Sequence, residues 1–212
     1  MFRYKPLLKL LSTLLLVPII FQFYSCGKNY TPEQKAYIQE IEQQRKEKDD
    51  FMKNSPESPF NIDKNAKFHP LRYFDVNPDF VFKSRLYRFG SPDTITIFGT
   101  KGEARKAVKF GFVKFNYEGK DFKLNVYKGT TKDGTDYYTI WFTDKTTGDE
   151  TYGVGRYLDF DLNQDTNYVY TVDFNLAYNP YCSYSAKYSC AIPSKEDHLD
   201  LAVKAGEKNF HQ

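Results

Sequence analysis

From residue 80 onward the sequence is a series of short aromatic and β-branched runs separated by turn signals. No helical pattern intervenes, and this limits the fold more than any other feature. The runs lie at 80–87, 94–98, 108–117, 122–127, 137–142, 152–160 and 168–174. Glycine tolerates positive φ, so Glu118-Gly119-Lys120 and Asp133-Gly134 mark hairpin turns. Thr146-Thr147-Gly148-Asp149 marks a further turn. Seven strands at short spacing, without helices to carry parallel crossovers, predict a mainly β fold: an antiparallel sandwich or a partly open barrel. Aromatic residues make up 18% of the chain, which suits sheets whose large rings pack across strands.

Ahead of this region the texture is polar and helical. Thr31 can cap a helix, Pro32 suits its first position, and Gln34 completes a capping box. Glu42/Lys46 and Asp49/Lys53 are spaced as favourable i,i+4 pairs. Tyr37, Ile38, Ile41, Phe51 and Met52 form only a narrow apolar stripe. The expectation is an N-terminal α-helix to about Asn54, solvated and lying against the domain or acting as a stalk; heptads for a coiled coil are lacking. Ser55-Pro56-Glu57-Ser58-Pro59 ends it, because proline does not continue a helix.

The first 25 residues have the order of a secretory leader. Arg3, Lys5 and Lys9 form a basic start. An apolar stretch then runs from 10 to 23, broken by Ser12, Thr13, Pro18 and Gln22, and small Ser25 stands before Cys26. A membrane span takes about 20 apolar residues, so an uncleaved anchor helix is the weaker reading. Cys26 is the expected site of cleavage and lipidation, although Phe23 and Tyr24 depart from the usual leucine and small residue of a lipobox. Two acyl chains, at about 0.8 kcal/mol per buried CH₂, anchor a protein stably. The chain is therefore expected to divide into a leader (1–25), a lipidated N-terminus with helix and linker (26–59) and a β domain (60–212). Its expected place is the cell envelope, in the outer or the cell membrane, facing periplasm or exterior, with the membrane as partner through Cys26.

The leader carries three of the 30 basic residues and none of the 27 acidic ones, so the rest of the chain balances at 27 to 27. Nucleic-acid binding calls for clustered excess Lys and Arg, and is excluded as an expectation. Cys182 and Cys190 are left once Cys26 is assigned to lipid. In an oxidising compartment they read as one disulfide. Free thiols and a metal site with His198, which follows at the same interval of eight, stay open; the spacing is unlike that of structural zinc. No cofactor is implied.

The last third carries the most distinctive motifs. Thr151-Tyr152-Gly153-Val154-Gly155-Arg156-Tyr157-Leu158 is followed by Val172-Asp173-Phe174-Asn175-Leu176-Ala177-Tyr178-Asn179-Pro180-Tyr181-Cys182. Cys190-Ala191-Ile192-Pro193, His198-Leu199 and Ala205-Gly206-Glu207-Lys208 come after. With Phe142-Thr143-Asp144, Thr146, Gly148 and Glu150-Thr151-Tyr152, and with Ser55-Pro56 and Leu71-Arg72-Tyr73-Phe74, these residues resemble the DUF1684 family of bacteria and archaea. Ala191, where the family pattern has proline, and Asp197, near which it has asparagine, depart from it. The resemblance implies no activity.

In an unbroken strand Gly153 and Gly155 share one face, under a packed aromatic ring, and Arg156 lies on the other. Asp173 and Asn175 likewise share a face. Such polar groups are costly unless paired or set in a cleft. Two readings follow: an ion pair of Arg156 with Asp173 or Glu207 that holds the sheet, or a cleft lined by Arg156, Asp173, Asn175, Tyr178 and Asn179, with His198 and Glu207 as further candidates. The leading functional expectation is a binding or accessory domain for a small polar ligand, a saccharide or cell-wall fragment, docking on tyrosines. An envelope hydrolase using Asp173, Glu207 or His198 as acid and base and a purely structural protein are the alternatives.

Overall fold

The computed structural model describes residues 28–131 and 133–211; the leader and Cys26 lie outside the described residues. The chain is mainly β, with antiparallel sheets, an N-terminal helix and a sheet that does not close, as in a partly open sandwich. The larger sheet runs in the order β2 (Tyr87–Phe98), β3 (Ala104–Tyr117), β4 (Lys120–Thr130), β5 (Asp136–Asp144), β6 (Arg156–Asp159). A short β8 (His198–Leu199) adds to β5 in parallel. The second sheet is a pair, β1 (Val81–Arg85) with β7 (Val169–Asp173).

The turns set the register as their residues demand. Glu118 and Gly119 both take positive φ, 50° and 77°. They make a two-residue hairpin that pairs Tyr117 with Lys120 and, three rungs on, Lys114 with Lys123. Gly134 at φ 88° and Gly148 at φ 86° serve their own turns in the same way.

Alternation along β3, β4 and β5 sends Val113, Phe115, Leu124, Val126, Ile140 and Phe142 to one face, where they are buried. The β1–β7 pair and the segment after it cover that face. Phe174 is fully buried there, its ring 5.3 Å from Phe142, 5.4 Å from Phe115 and 5.9 Å from Phe82. The opposite face is covered only in part. Tyr127 stacks on Trp141 at 4.2 Å, and Ile97, Ala107 and Ala191 complete a second cluster there. Asp197 pins the covering segment. Its buried carboxylate accepts from Asn125 Nδ2 and Tyr127 Oη at 2.8 Å each, and from Ser194 Oγ at 2.7 Å.

The helix α1 (Pro32–Asn54) starts with the expected capping box, Thr31 with Gln34. Its docking face is Tyr37, Ile41, Arg45, Lys48 and Met52, spaced by three or four residues as one helical face requires. Only Ile41 and Met52 bury apolar groups. Tyr37 donates to Asp173 at 2.6 Å, Arg45 to the Phe74 carbonyl at 2.9 Å, and Lys48 pairs with Glu207 at 2.6 Å. Polar anchors thus supply what the narrow apolar stripe lacks, and the helix is docked on the domain. Thr31–Gln212 forms one compact unit. No described helix is long and apolar enough to cross a membrane.

Candidate functional site

The Gly-x-Gly-Arg motif is a turn followed by a strand. β6 begins at Arg156, and Gly153 and Gly155 precede it, so the expected glycine face of a strand is not formed. Gly155 stands at φ 107°, and a Cβ there would lie 2.5 Å from the Phe142 carbonyl oxygen. What approaches that glycine is backbone and the Pro193 ring rather than an aromatic side chain.

This turn delivers Arg156 into the interior, 1% exposed. Its guanidinium pairs with Asp144 at 2.6 Å, not with the expected carboxylates of Asp173 or Glu207. It also donates to the carbonyls of Val203 (2.8 Å), Ala205 and Glu207 (3.3 Å). Asp144 in turn accepts from the Thr146 amide at 2.7 Å and hydroxyl at 2.5 Å, and Thr146 bonds Thr151. Four hydrogen bonds from the guanidinium are thus spent inside the fold, and no ligand-facing cleft opens at Arg156. Burial pushes the guanidinium below its ordinary range, and the Asp144 carboxylate opposes that shift.

Glu207 is the second buried centre. Its Oε2 accepts from Tyr184 Oη at 2.5 Å and from the Asn179 amide at 2.8 Å, and Lys48 meets its Oε1. Burial first, then the Glu207 charge, raises the Tyr184 hydroxyl well above its ordinary value. Tyr178, half-buried, donates to Asp159 at 2.6 Å and carries the Lys48 ammonium 4.7 Å above its ring. Gly206 at φ 77° lets this closing segment pass against the Phe174 and Ala177 carbonyls, which a Cβ would meet at 2.6 and 2.5 Å.

Of the expected cluster, then, Arg156, Tyr178, Asn179 and Glu207 gather around the closing Ala-Gly-Glu-Lys segment. Asp173 and Asn175 do not join them. Asp173 ends β7 and caps the turn that holds Asn175, so the two are not on one face of a strand. Asn175 donates to Tyr37 and Asp173 at 3.0 Å and bonds the Asn77 backbone through both its oxygen and its nitrogen. His198 stands apart and exposed, its Nδ1 3.0 Å from Thr143 Oγ1.

Cys182 and Cys190 are both free thiols, in place of the expected disulfide. The Cys182 amide donates to Cys190 Sγ at 3.2 Å. Among the described residues no three His, Cys, Asp or Glu side chains are grouped to hold a metal ion, and His198 does not approach the two thiols.

The open polar surface lies elsewhere, on the uncovered part of the β2–β3–β4 face. Tyr87 and Phe112 stack at 5.2 Å with 12° between ring planes, and Tyr87 is 44% exposed. The Lys114 ammonium lies 4.7 Å over the Tyr87 ring, and that of Lys123 lies 5.4 Å over Phe112. The two lysines are direct cross-strand partners, and among the described residues no carboxylate is within ion-pair distance of either. Both lysines also line a depression of about 460 Å³, together with Lys83, Phe115, Asn116, Asp121 and Phe122. Sequence motifs did not point here. The available signal was the period-two spacing of Phe112 and Lys114 combined with the Glu118-Gly119 turn, which places Lys123 opposite Lys114.

A family model described as a protein of unknown function, DUF1684, matches residues 66–208. An uncharacterised protein of Haloarcula marismortui, solved by solution NMR, is similar in structure with a TM-score of 0.61 and 28% sequence identity, over 85% of this chain and 98% of that one. No curated protein matches the chain.

Proposed function

The chain belongs to the DUF1684 family, and from that premise we propose that it is a lipid-anchored cell-envelope protein whose β domain binds an acidic saccharide on the β2–β3–β4 face. The family supplies no activity, so the reading rests on the chain's own surface. The observation that carries it is the opposed Lys114 and Lys123 over the Tyr87–Phe112 stack. Like charges directly opposite each other weaken a sheet, and an anion placed between them removes that repulsion. The exposed part of Tyr87 offers apolar surface to a sugar ring, while carboxylate or phosphate groups on the sugar meet the ammoniums. Anchoring is read from the basic, apolar, Ser25-Cys26 order of the leader. Catalysis is the weaker reading, since Asp173, Glu207 and His198 belong to three separate polar groups and no two of them share one face of a cleft.

Calorimetric titration with an oligogalacturonide, and with a neutral maltooligosaccharide of the same length, tests the site. The acidic sugar should bind and weaken with added salt. Lys114→Ala and Lys123→Ala should each cost about tenfold or more, near 1.4 kcal/mol. Equal binding of the neutral sugar, or no effect of either substitution, would overturn the assignment. For the anchor, a fatty-acid analogue supplied to growing cells should label the wild type and leave Cys26→Ala unlabelled; label on the variant rejects lipidation at Cys26.

A further inference from the structure

We propose that Cys182 and Cys190 are a redox-active dithiol that exchanges with disulfides, Cys182 attacking and Cys190 resolving. The pair is set in place without a bond between the sulfurs. Cys182 sits in the short 3-10 turn Tyr181–Ser183, and Cys190 closes the loop that follows. The Cys182 amide donates to Cys190 Sγ at 3.2 Å, which brings the two residues together. The Tyr152 hydroxyl reaches Cys182 Sγ at 3.8 Å and the Cys182 carbonyl at 3.3 Å.

The loop between them is tied down along its length. Ser185 Oγ donates to the buried Asp63 at 2.6 Å, and Lys187 Nζ to the Ile62 carbonyl at 2.7 Å. Arg105 donates to the Ser189 carbonyl at 2.7 Å, and Thr100 and Cys190 exchange two bonds, at 3.0 and 3.2 Å. Sulfurs held this way meet without a search through loop conformations. Both are half-buried, so one face of the pair is reachable.

The two sulfurs are unequal. Donors on Cys182 Sγ, the Cys190 thiol first and Tyr152 after it, hold its pKa down at about 7 against the effect of burial, whereas the contact with Cys182 and burial push Cys190 up. An attacking thiol works best with a pKa near ambient pH, because thiolate fraction and nucleophilicity then balance. In the exchange the Cys182 thiolate attacks one sulfur of a partner disulfide. That S–S bond breaks, the first partner thiolate leaves and takes up a proton, and a mixed disulfide remains on Cys182. Cys190 then gives up its proton and attacks Cys182 Sγ, releasing the second partner thiolate. The dithiol is oxidised by two electrons to a disulfide, and the partner disulfide is reduced to two thiols. The co-reactant is thus any accessible disulfide, oxidised glutathione being the simplest.

The full-length protein carrying Cys26→Ser, which leaves Cys182 and Cys190 as its only thiols, is equilibrated in glutathione buffers of graded ratio, quenched with an alkylating reagent and weighed intact. A reversible transition between two alkylated thiols and none is expected within that range. A disulfide that survives about a hundredfold excess of reduced glutathione would make the pair a fixed cross-link, and thiols that stay reduced in oxidised glutathione alone would make it inert; either result overturns the proposal. Cys190→Ser should trap glutathione on Cys182 at least about tenfold faster than Cys182→Ser traps it on Cys190, and equal rates would remove the assigned roles. In the wild type, alkylation of Cys182 should rise steeply through a pH of about 7; a midpoint near that of an ordinary thiol, about 8.5, would also remove them.

Discussion

Arg156 and Lys114 are cations of the same sheet, and the fold treats them in opposite ways. Arg156 enters the interior at the start of β6 and spends its donors on Asp144 and three carbonyls of the closing segment. Lys114 stands on the outer face opposite another lysine, with its ammonium resting on an exposed ring. The first arrangement is complete and leaves nothing for a ligand to satisfy. The second sets two like charges directly opposite each other, an arrangement that weakens strand pairing. Distinctive sequence motifs therefore mark the demands of folding here, and the surface proposed for binding uses residues of ordinary appearance.

The comparison can be broken most decisively at the buried end. Arg156→Ala strands the Asp144 carboxylate in the core and should cost about 3–5 kcal/mol, enough to remove a large share of a typical domain's stability. Chemical denaturation reads this. Near-normal stability would mean the pair is not sealed and would reopen a ligand role for Arg156. A smaller but clear effect is expected at the turn that places the arginine. Gly155→Ala meets the Phe142 carbonyl and a left-handed backbone together, costing about 1–3 kcal/mol. A melting temperature equal to wild type would show that the turn can relax.

Glu207→Gln keeps the shape but removes the charge facing Lys48 and Tyr184. The loss should be about 1–3 kcal/mol, toward the lower end because Lys48 is partly exposed, and it should fade when Lys48→Met is combined with it. Additive losses in that double-mutant cycle would show that the ion pair does not couple helix to domain. The smallest effect belongs to the open face. Lys123→Ala should leave the fold unchanged or stabilise it by a few tenths of a kcal/mol, up to about 1, because it ends a like-charge opposition. A destabilisation of the size seen for Arg156→Ala would mean that the two regions are not different in kind.

Much of the architecture was legible residue by residue. Thr31 and Gln34 announced the helix start because capping is decided within four residues. Glu118-Gly119 announced the hairpin because two positive φ values in succession suit few other pairs. The strand runs came out nearly as expected, with β2 longer and β6 beginning only at Arg156. Of the residues expected to line one cleft, Arg156, Tyr178, Asn179 and Glu207 lie around the closing segment, whereas Asp173, Asn175 and His198 do not. Their partners were not legible. Asp144 stands twelve residues before Arg156, on the strand that pairs with it, and meets it because β5 and β6 place Phe142 opposite Arg156. Tyr37 reaches Asp173 across 136 residues of sequence.

Local rules of backbone geometry and side-chain period, which act over a few residues, let the sequence by itself determine the mainly β class, the helix with its cap and the hairpin turns, and the resemblance of its motifs marked the family. Tertiary structure alone decided which charges are buried against one another and which are left facing solvent. Pairing of that kind depends on distances between segments far apart in the chain, and those distances exist only once sheet, helix and closing segment have packed together.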